Sequence, residues 1–155
     1  MRKLVISMAV VFLLSGCGQG KAPSADPAVL ENTIVQYNRL LAEGYRTLNM
    51  NPLAQVATEE RATKAYYHMA ALGEERKRME AKQRTIAFVK TKILSPVQVE
   101  IKTREEWDYR HINIDSNKME SQSSIVYELT YSLIKKNDKW LVSDIAIEKE
   151  ENIKK

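Results

Sequence analysis

Val97-Gln98-Val99-Glu100-Ile101-Lys102-Thr103-Arg104-Glu105-Glu106-Trp107-Asp108-Tyr109 alternates apolar and charged residues with a single break. A period of two is the signature of a strand with one buried and one solvated face. Val97, Val99, Ile101, Thr103, Trp107 and Tyr109 share one face, and Gln98, Glu100, Lys102, Arg104, Glu106 and Asp108 share the other. Glu105 is the break, because an unbroken strand would turn its carboxylate inward with the aromatics. An unpaired buried carboxylate is costly. The expectation is therefore a β-bulge at Arg104-Glu105-Glu106 that returns Glu105 to solvent.

The pattern continues on both sides of this strand. Upstream, Thr85 to Leu94 is β-branched and aromatic until Ser95-Pro96 interrupts it. Downstream, Asp115-Ser116-Asn117 predicts a hairpin turn into a strand with Ile125, Tyr127, Leu129, Tyr131 and Leu133 on one face. Lys136-Asn137-Asp138-Lys139 then turns the chain into Trp140-Leu141-Val142-Ser143-Asp144-Ile145-Ala146-Ile147. Four antiparallel neighbours follow, with Trp107 and Trp140 expected on buried positions. Residues 148–155, EKEENIKK, read as a charged tail with no core to join.

Before Arg84 the period is helical. Asp26 before Pro27 is an N-cap followed by a first-turn proline, and Leu30, Ile34, Tyr37, Leu41, Tyr45 and Leu48 recur at steps of three and four. Asn49-Met50-Asn51-Pro52 ends this helix. Asn51, or Thr58 before Glu59-Glu60, can cap a second one, whose apolar face reads Ala62, Ala65, Tyr66, Met69 and Leu72. Glu74 to Gln83 is so charged that it reads as a solvated turn or helix end.

The N-terminus carries an address. Arg2-Lys3 precedes an apolar run from Leu4 to Leu14, too short for the roughly 20 residues a spanning helix needs, and Ser15-Gly16-Cys17 follows. Leu14-Ser15-Gly16-Cys17 resembles the lipobox of bacterial lipoproteins. That resemblance implies a signal peptide over 1–16, cleaved before Cys17, and acyl chains on Cys17 that tether the protein to the membrane. With Gly18 and Gln19 after the cysteine, it further implies the outer membrane, facing the periplasm, in a Gram-negative host. Residues 17–28 form the lipidated Cys and a flexible tether, 29–149 one domain and 150–155 the tail.

Composition narrows the function. The 155 residues suit one domain, with 44% hydrophobic and 28% charged residues. The net charge of +4 falls to +2 without Arg2 and Lys3, and the signs are interspersed, so no nucleic-acid partner is expected. Cys17 is the one cysteine and there are two histidines, His68 and His111, at no ligand spacing, so no metal and no cofactor is expected. His68 falls beside the core stripe of the second helix, and His111 near a strand end reads as a surface residue.

Helices first, then a long antiparallel meander carrying Glu105-x-Trp107-x-Tyr109, Tyr127-x-Leu129-x-Tyr131-x-Leu133 and Lys139-Trp140-Leu141-Val142, resembles the nuclear transport factor 2-like superfamily over about residues 29–149. The Tyr-x-Leu and Lys-Trp portion also resembles the intermembrane-space domain of plastid division proteins. The resemblance implies an α+β cone, a curved sheet of about four strands wrapped round N-terminal helices. The superfamily holds isomerases, dehydratases and cyclases as well as carriers and assembly modules, so fold does not decide function. The inventory favours a non-catalytic module that binds a protein partner or a small apolar ligand, with a homodimer through the sheet as one form of partnership. Trp107, Tyr109, Tyr127 and Tyr131 are the candidate binding residues. The alternatives are an isomerase-, dehydratase- or cyclase-like enzyme using an inward carboxylate, for which Glu105 is the candidate catalytic residue, and a purely structural envelope subunit.

Overall fold

The computed structural model describes residues 25–153. Cys17, the lipobox, most of the tether and the last two lysines lie outside the described residues. The element order is α1 (Pro27–Thr47), a short 3-10 turn (Asn51–Gln55), α2 (Glu59–Glu74), β1 (Lys77–Ser95), β2 (Gln98–Asn113), β3 (Met119–Lys136) and β4 (Lys139–Asn152). The strands form one antiparallel sheet in the order β1-β2-β3-β4, each paired with its sequence neighbour. This is the expected α+β architecture, two helices on a curved four-stranded sheet.

The caps follow the chemistry of the sequence. Asp26 accepts a hydrogen bond from the Ala28 amide at 3.0 Å ahead of Pro27, and Thr58 Oγ1 accepts one from Arg61 at 3.3 Å. Leu48 closes α1 in the left-handed region at φ 56°, its amide bonded to the Gly44 carbonyl. A side chain at Gly44 would strike Met50 Sδ, so the bare backbone there lets Met50 fold back under the helix. Asn137 and Asp138, both at positive φ (49° and 59°), make a tight two-residue turn between β3 and β4.

Leu30, Ile34 and Tyr37 of α1 pack with Val99, Ile101, Leu129, Tyr131, Leu133 and Val142 of the sheet. Trp107 and Trp140 are both buried, on the inward positions expected of them. All the core residues fall between Leu30 and Val142, and no buried polar side chain among the described residues lacks a partner. Among the described residues the buried core is thus built from positions 30–142. Register shifts in β1 at Gln83/Thr85, Phe88/Lys90 and Ile93/Ser95, and in β4 opposite Glu128/Leu129 and Ser132/Leu133, bend the sheet around the helices.

Several expectations are corrected. Lys77 to Gln83 is not a solvated turn but the first third of β1, an edge strand whose charged residues face water while Met79 is buried. Residues 148–152 are not a free tail, because β4 continues along β3 with Glu150 opposite Tyr127 and Asn152 opposite Ile125. The tether assigned to 17–28 overruns the start of α1 at Pro27. Tyr66 is half exposed rather than on the buried stripe of α2, which only Ala65 and Met69 fully occupy. Val97 sits exposed in the β1–β2 turn instead of on the inward face.

Candidate functional site

The cone's interior is organised around the carboxylate expected to be outside. Pairing of β2 with β3 is continuous through Arg104↔Glu128, Glu105↔Tyr127 and Glu106↔Val126, so β2 has no bulge there. Glu105 keeps the parity of Val99, Ile101, Thr103 and Trp107 and is fully buried. The irregularity lies on the partner strand, where β1 skips Arg84 between Gln83↔Trp107 and Thr85↔Glu106.

Five side chains donate to this carboxylate. Asn38 Nδ2 at 3.0 Å, Gln83 Nε2 at 2.9 Å and Trp107 Nε1 at 2.8 Å meet Oε2, while Thr103 Oγ1 and Tyr131 Oη meet Oε1, each at 2.8 Å. Tyr131 Oη also lies 3.0 Å from Asn38 Oδ1. All five donors are neutral, so the charge is met by dipoles rather than by a counter-ion, and the cage suits an acceptor-only carboxylate. The same surroundings push the Tyr131 hydroxyl well above its ordinary pKa, first through burial and then through the adjacent carboxylate. Both oxygens are saturated and none of their surface reaches solvent. Each lone pair already has a donor in this arrangement, although Glu105 also lines the neighbouring cavity.

Beside this cage lies a cavity of about 470 Å³ between the helices and the concave face of the sheet. Leu41 and Tyr45 of α1, Met79 of β1, Tyr109, Tyr127 and Leu129, and Ile145 and Ile147 of β4 form its mainly apolar wall. Trp107 stacks on Tyr109 with centroids 6.0 Å apart at 12°, and Tyr109 meets Tyr127 edge-on at 6.5 Å. Burial raises the Tyr109 hydroxyl pKa, with Tyr127 and Glu105 adding to the effect, and burial raises that of Tyr127. Two polar pairs stand at the rim. Tyr45 Oη lies 2.7 Å from His68 Nδ1, and Arg61 Nε donates to Tyr37 Oη at 2.7 Å with its guanidinium over the Tyr37 ring. Burial pushes Tyr45 up to about 12.

A larger hollow, about 930 Å³, opens on the other side of α1 among Arg39, Glu43, Arg46, Glu80, Lys82 and Arg110. Its charges largely cancel in pairs: Arg46 with Glu43 at 2.5 Å and Arg110 with Glu80 at 2.8 Å. Glu80 is held below the usual carboxylate range by its hydrogen bond to Arg78 and the charges of Arg110 and Arg78. Although it is the larger, this hollow is walled mainly by side chains whose charges are paired. The smaller cavity fits a ligand better because apolar area and convergent hydroxyls coincide there.

The four candidate binding residues divide into two roles. Tyr109 and Tyr127 are half-buried and face the cavity, whereas Trp107 and Tyr131 spend their polar atoms on Glu105. His111, with its Nδ1 3.1 Å from Ser121 Oγ, lines the cavity at its far margin. His68 is exposed, yet its ring is fixed against Tyr45, with centroids 5.2 Å apart. Sequence reading missed Asn38, Gln83, Arg61 and the Tyr45–His68 pair. Asn38 carried a signal: it stands four residues after Ile34 and adjoins Tyr37, a polar residue on the most buried part of the α1 stripe. Among the described residues no group of three or more His, Cys, Asp or Glu is placed to hold a metal ion.

No family model and no curated protein matches the sequence. Solved structures do. The intermembrane-space region of the chloroplast protein ARC6 superposes with a TM-score of 0.72 at 8% identity, over 81% of this chain and 98% of that one. A periplasmic fragment of TraM gives 0.51 at 14% identity, over 79% and 98%. A hexachlorocyclohexane dehydrochlorinase, LinA type 2, gives 0.49 at 10%, over 82% and 90%. The ARC6 and TraM likenesses show the fold alone. The resemblance to the plastid division domain noted in the sequence thus holds at the level of backbone architecture.

Proposed function

We propose that the chain is a lipid-anchored envelope protein whose cone binds an apolar group, from a small molecule or from a protein partner, without converting it. The observation that carries this reading is the full occupation of Glu105: the one buried carboxylate among the described residues has both oxygens taken by Asn38, Gln83, Thr103, Trp107 and Tyr131. What remains open beside it is an aromatic and aliphatic wall with hydroxyl and guanidinium groups at the rim, a lining that orients a ligand by shape and a few polar contacts.

The probe 1-anilinonaphthalene-8-sulfonate combines fused rings with an anionic group and suits this wall. A chain beginning at Gly18 should bind it saturably at one site, with enhanced emission and quenching of Trp107, which stacks at the cavity's edge. Ile145→Trp, filling the cavity from β4, should remove that binding while thermal unfolding stays cooperative. Binding that is unsaturable, or unchanged in Ile145→Trp, would count against the cavity.

Anchoring rests on Leu14-Ser15-Gly16-Cys17 and is tested separately. Metabolic labelling with a fatty-acid analogue should mark the wild-type chain and leave Cys17→Ala unmarked. Equal labelling of both would remove the anchor from the proposal.

A further inference from the structure

The β1–β2 and β3–β4 turns lie at the same end of the sheet, since Gln98 at the start of β2 stands opposite Ile134 near the end of β3. Exposed apolar side chains collect there. Val89, Ile93, Leu94 and Val97 on the β1–β2 hairpin are 64%, 56%, 47% and 49% exposed, and nothing among the described residues covers them. Lysines surround them: Lys90, Lys92 and Lys102 on that hairpin, and Lys135, Lys136 and Lys139 on the next, all exposed, stand against four acids on the same rungs, Glu100, Asp138, Asp144 and Glu148. Lys92 pairs with Glu100 at 3.6 Å and Lys135 with Asp138 at 3.4 Å, which leaves four of the six without an ion-pair partner among the described residues.

The chain also enters the fold at this end. Arg46 of α1 adjoins Glu80, which stands opposite Arg110, whereas Asn38 bonds Glu105, further along β2 toward the β1–β2 turn. Following α1 back towards Pro27 continues in that direction, and Val29 in its first turn is exposed as well. Seven residues separate Cys17 from Ala25, and the eight steps between them reach at most about 28 Å.

We propose that this end of the domain rests on an anionic phospholipid bilayer, with the β1–β2 hairpin tip in the interfacial layer and the lysines against the headgroups. The direction of approach rests on the reading that Cys17 carries the lipid. Apolar tips flanked by lysine are what an anionic interface attracts, since it rewards buried apolar area and positive charge without demanding a shaped complement. A second copy of this chain is a poorer occupant, because a two-fold interface would set the same lysines against each other.

The test uses the chain beginning at Gly18, which contains the whole described core and has no acyl chain, so it reads the domain's own affinity whether or not Cys17 is lipidated. In co-sedimentation at low salt it should bind vesicles of phosphatidylcholine containing about a third phosphatidylglycerol, bind pure phosphatidylcholine far less, and release as salt rises. Lys135→Glu with Lys136→Glu should weaken binding by about tenfold or more, and Leu94→Glu should also weaken it. Lys118→Glu, in the turn at the opposite end, should not. No binding to anionic vesicles, equal binding to neutral ones, or equal loss in Lys118→Glu would overturn the proposal. So would a concentration-dependent dimer that Leu94→Glu abolishes, which would assign the patch to self-association. Fatty-acid labelling of the full chain reports on the anchor independently.

Discussion

Glu105→Leu is expected to destabilise the domain by about 3–5 kcal/mol, and Glu105→Gln by only about 1–2 kcal/mol. The difference follows from which donors can reverse. Three N–H groups, from Asn38, Gln83 and Trp107, converge on Oε2 and can only donate. Thr103 and Tyr131 meet Oε1 with hydroxyls, which accept as readily as they donate. A Gln side chain can put its oxygen at the Oε2 position and its amide at Oε1, while Tyr131 turns its proton to Asn38 Oδ1, already 3.0 Å away. What is lost is the extra strength of bonds to a charged acceptor. Leu strands the N–H groups instead. Gln83 is half-buried and can swing to water, but Asn38 and Trp107 cannot. Urea unfolding of the three proteins at neutral pH measures this, and a Leu variant as stable as the Gln variant would mean that the cage does not hold the fold. The Gln variant also addresses the enzyme alternative, since a well-folded Glu105→Gln protein that loses its cellular role would return Glu105 to a chemical one.

The cage shows why the strands were legible and the site was not. Alternation in Val97 to Tyr109 is a local property, and it placed Trp107, Thr103 and Ile101 on the buried face because period two follows from strand geometry alone. The cost of burying Glu105 is also a local property, but the donors that meet that cost are not. Asn38 comes from 67 residues upstream and Gln83 from 22, brought to one point only by the packing of α1 on the sheet and the skipped residue at Arg84. With the cost in view and the donors out of view, a bulge was the consistent reading. The structure supplies the donors and makes the bulge unnecessary.

The two misread ends share another cause. Lys77 to Gln83 and residues 148–152 lie on β1 and β4, the edges of the sheet, where little covers the strand and charged side chains carry no penalty. Hydrophobic patterning reports burial, not pairing. A strand stabilised mainly by its ladder to one neighbour therefore resembles a charged loop. The same limit explains Tyr66: on α2 it falls at helical spacing from Ala62 and Met69, but α2 packs along too narrow a line for its ring to be covered.

Raising the pH above 10 should unfold the domain at progressively lower urea. Tyr37, Tyr45, Tyr109, Tyr127 and Tyr131 all have hydroxyls whose pKa is raised in the fold, in each case chiefly by burial, in Tyr37 against the opposing pull of Arg61. In the unfolded chain they ionise near pH 10. Below that value both states keep the protons and stability does not change on their account. Above it the unfolded chain releases protons that the native state retains, so each such hydroxyl costs about 1.4 kcal/mol of stability per pH unit until its folded pKa is passed. For Tyr45, pushed up to about 12, the loss across the whole interval is about 3 kcal/mol. Tyr131 and Tyr109 act in the same direction, whereas Tyr127, less deeply buried, contributes less. Urea midpoints at pH 8, 10 and 11 provide the measurement. The midpoint should fall modestly from pH 8 to pH 10, where the unfolded hydroxyls are half ionised, and much further by pH 11, and Tyr45→Phe should flatten the decline because a ring without a hydroxyl has no proton to lose. Midpoints that hold steady to pH 11 would show that these hydroxyls are solvated in the native state and that the aromatic wall of the cone is wetter than its geometry implies.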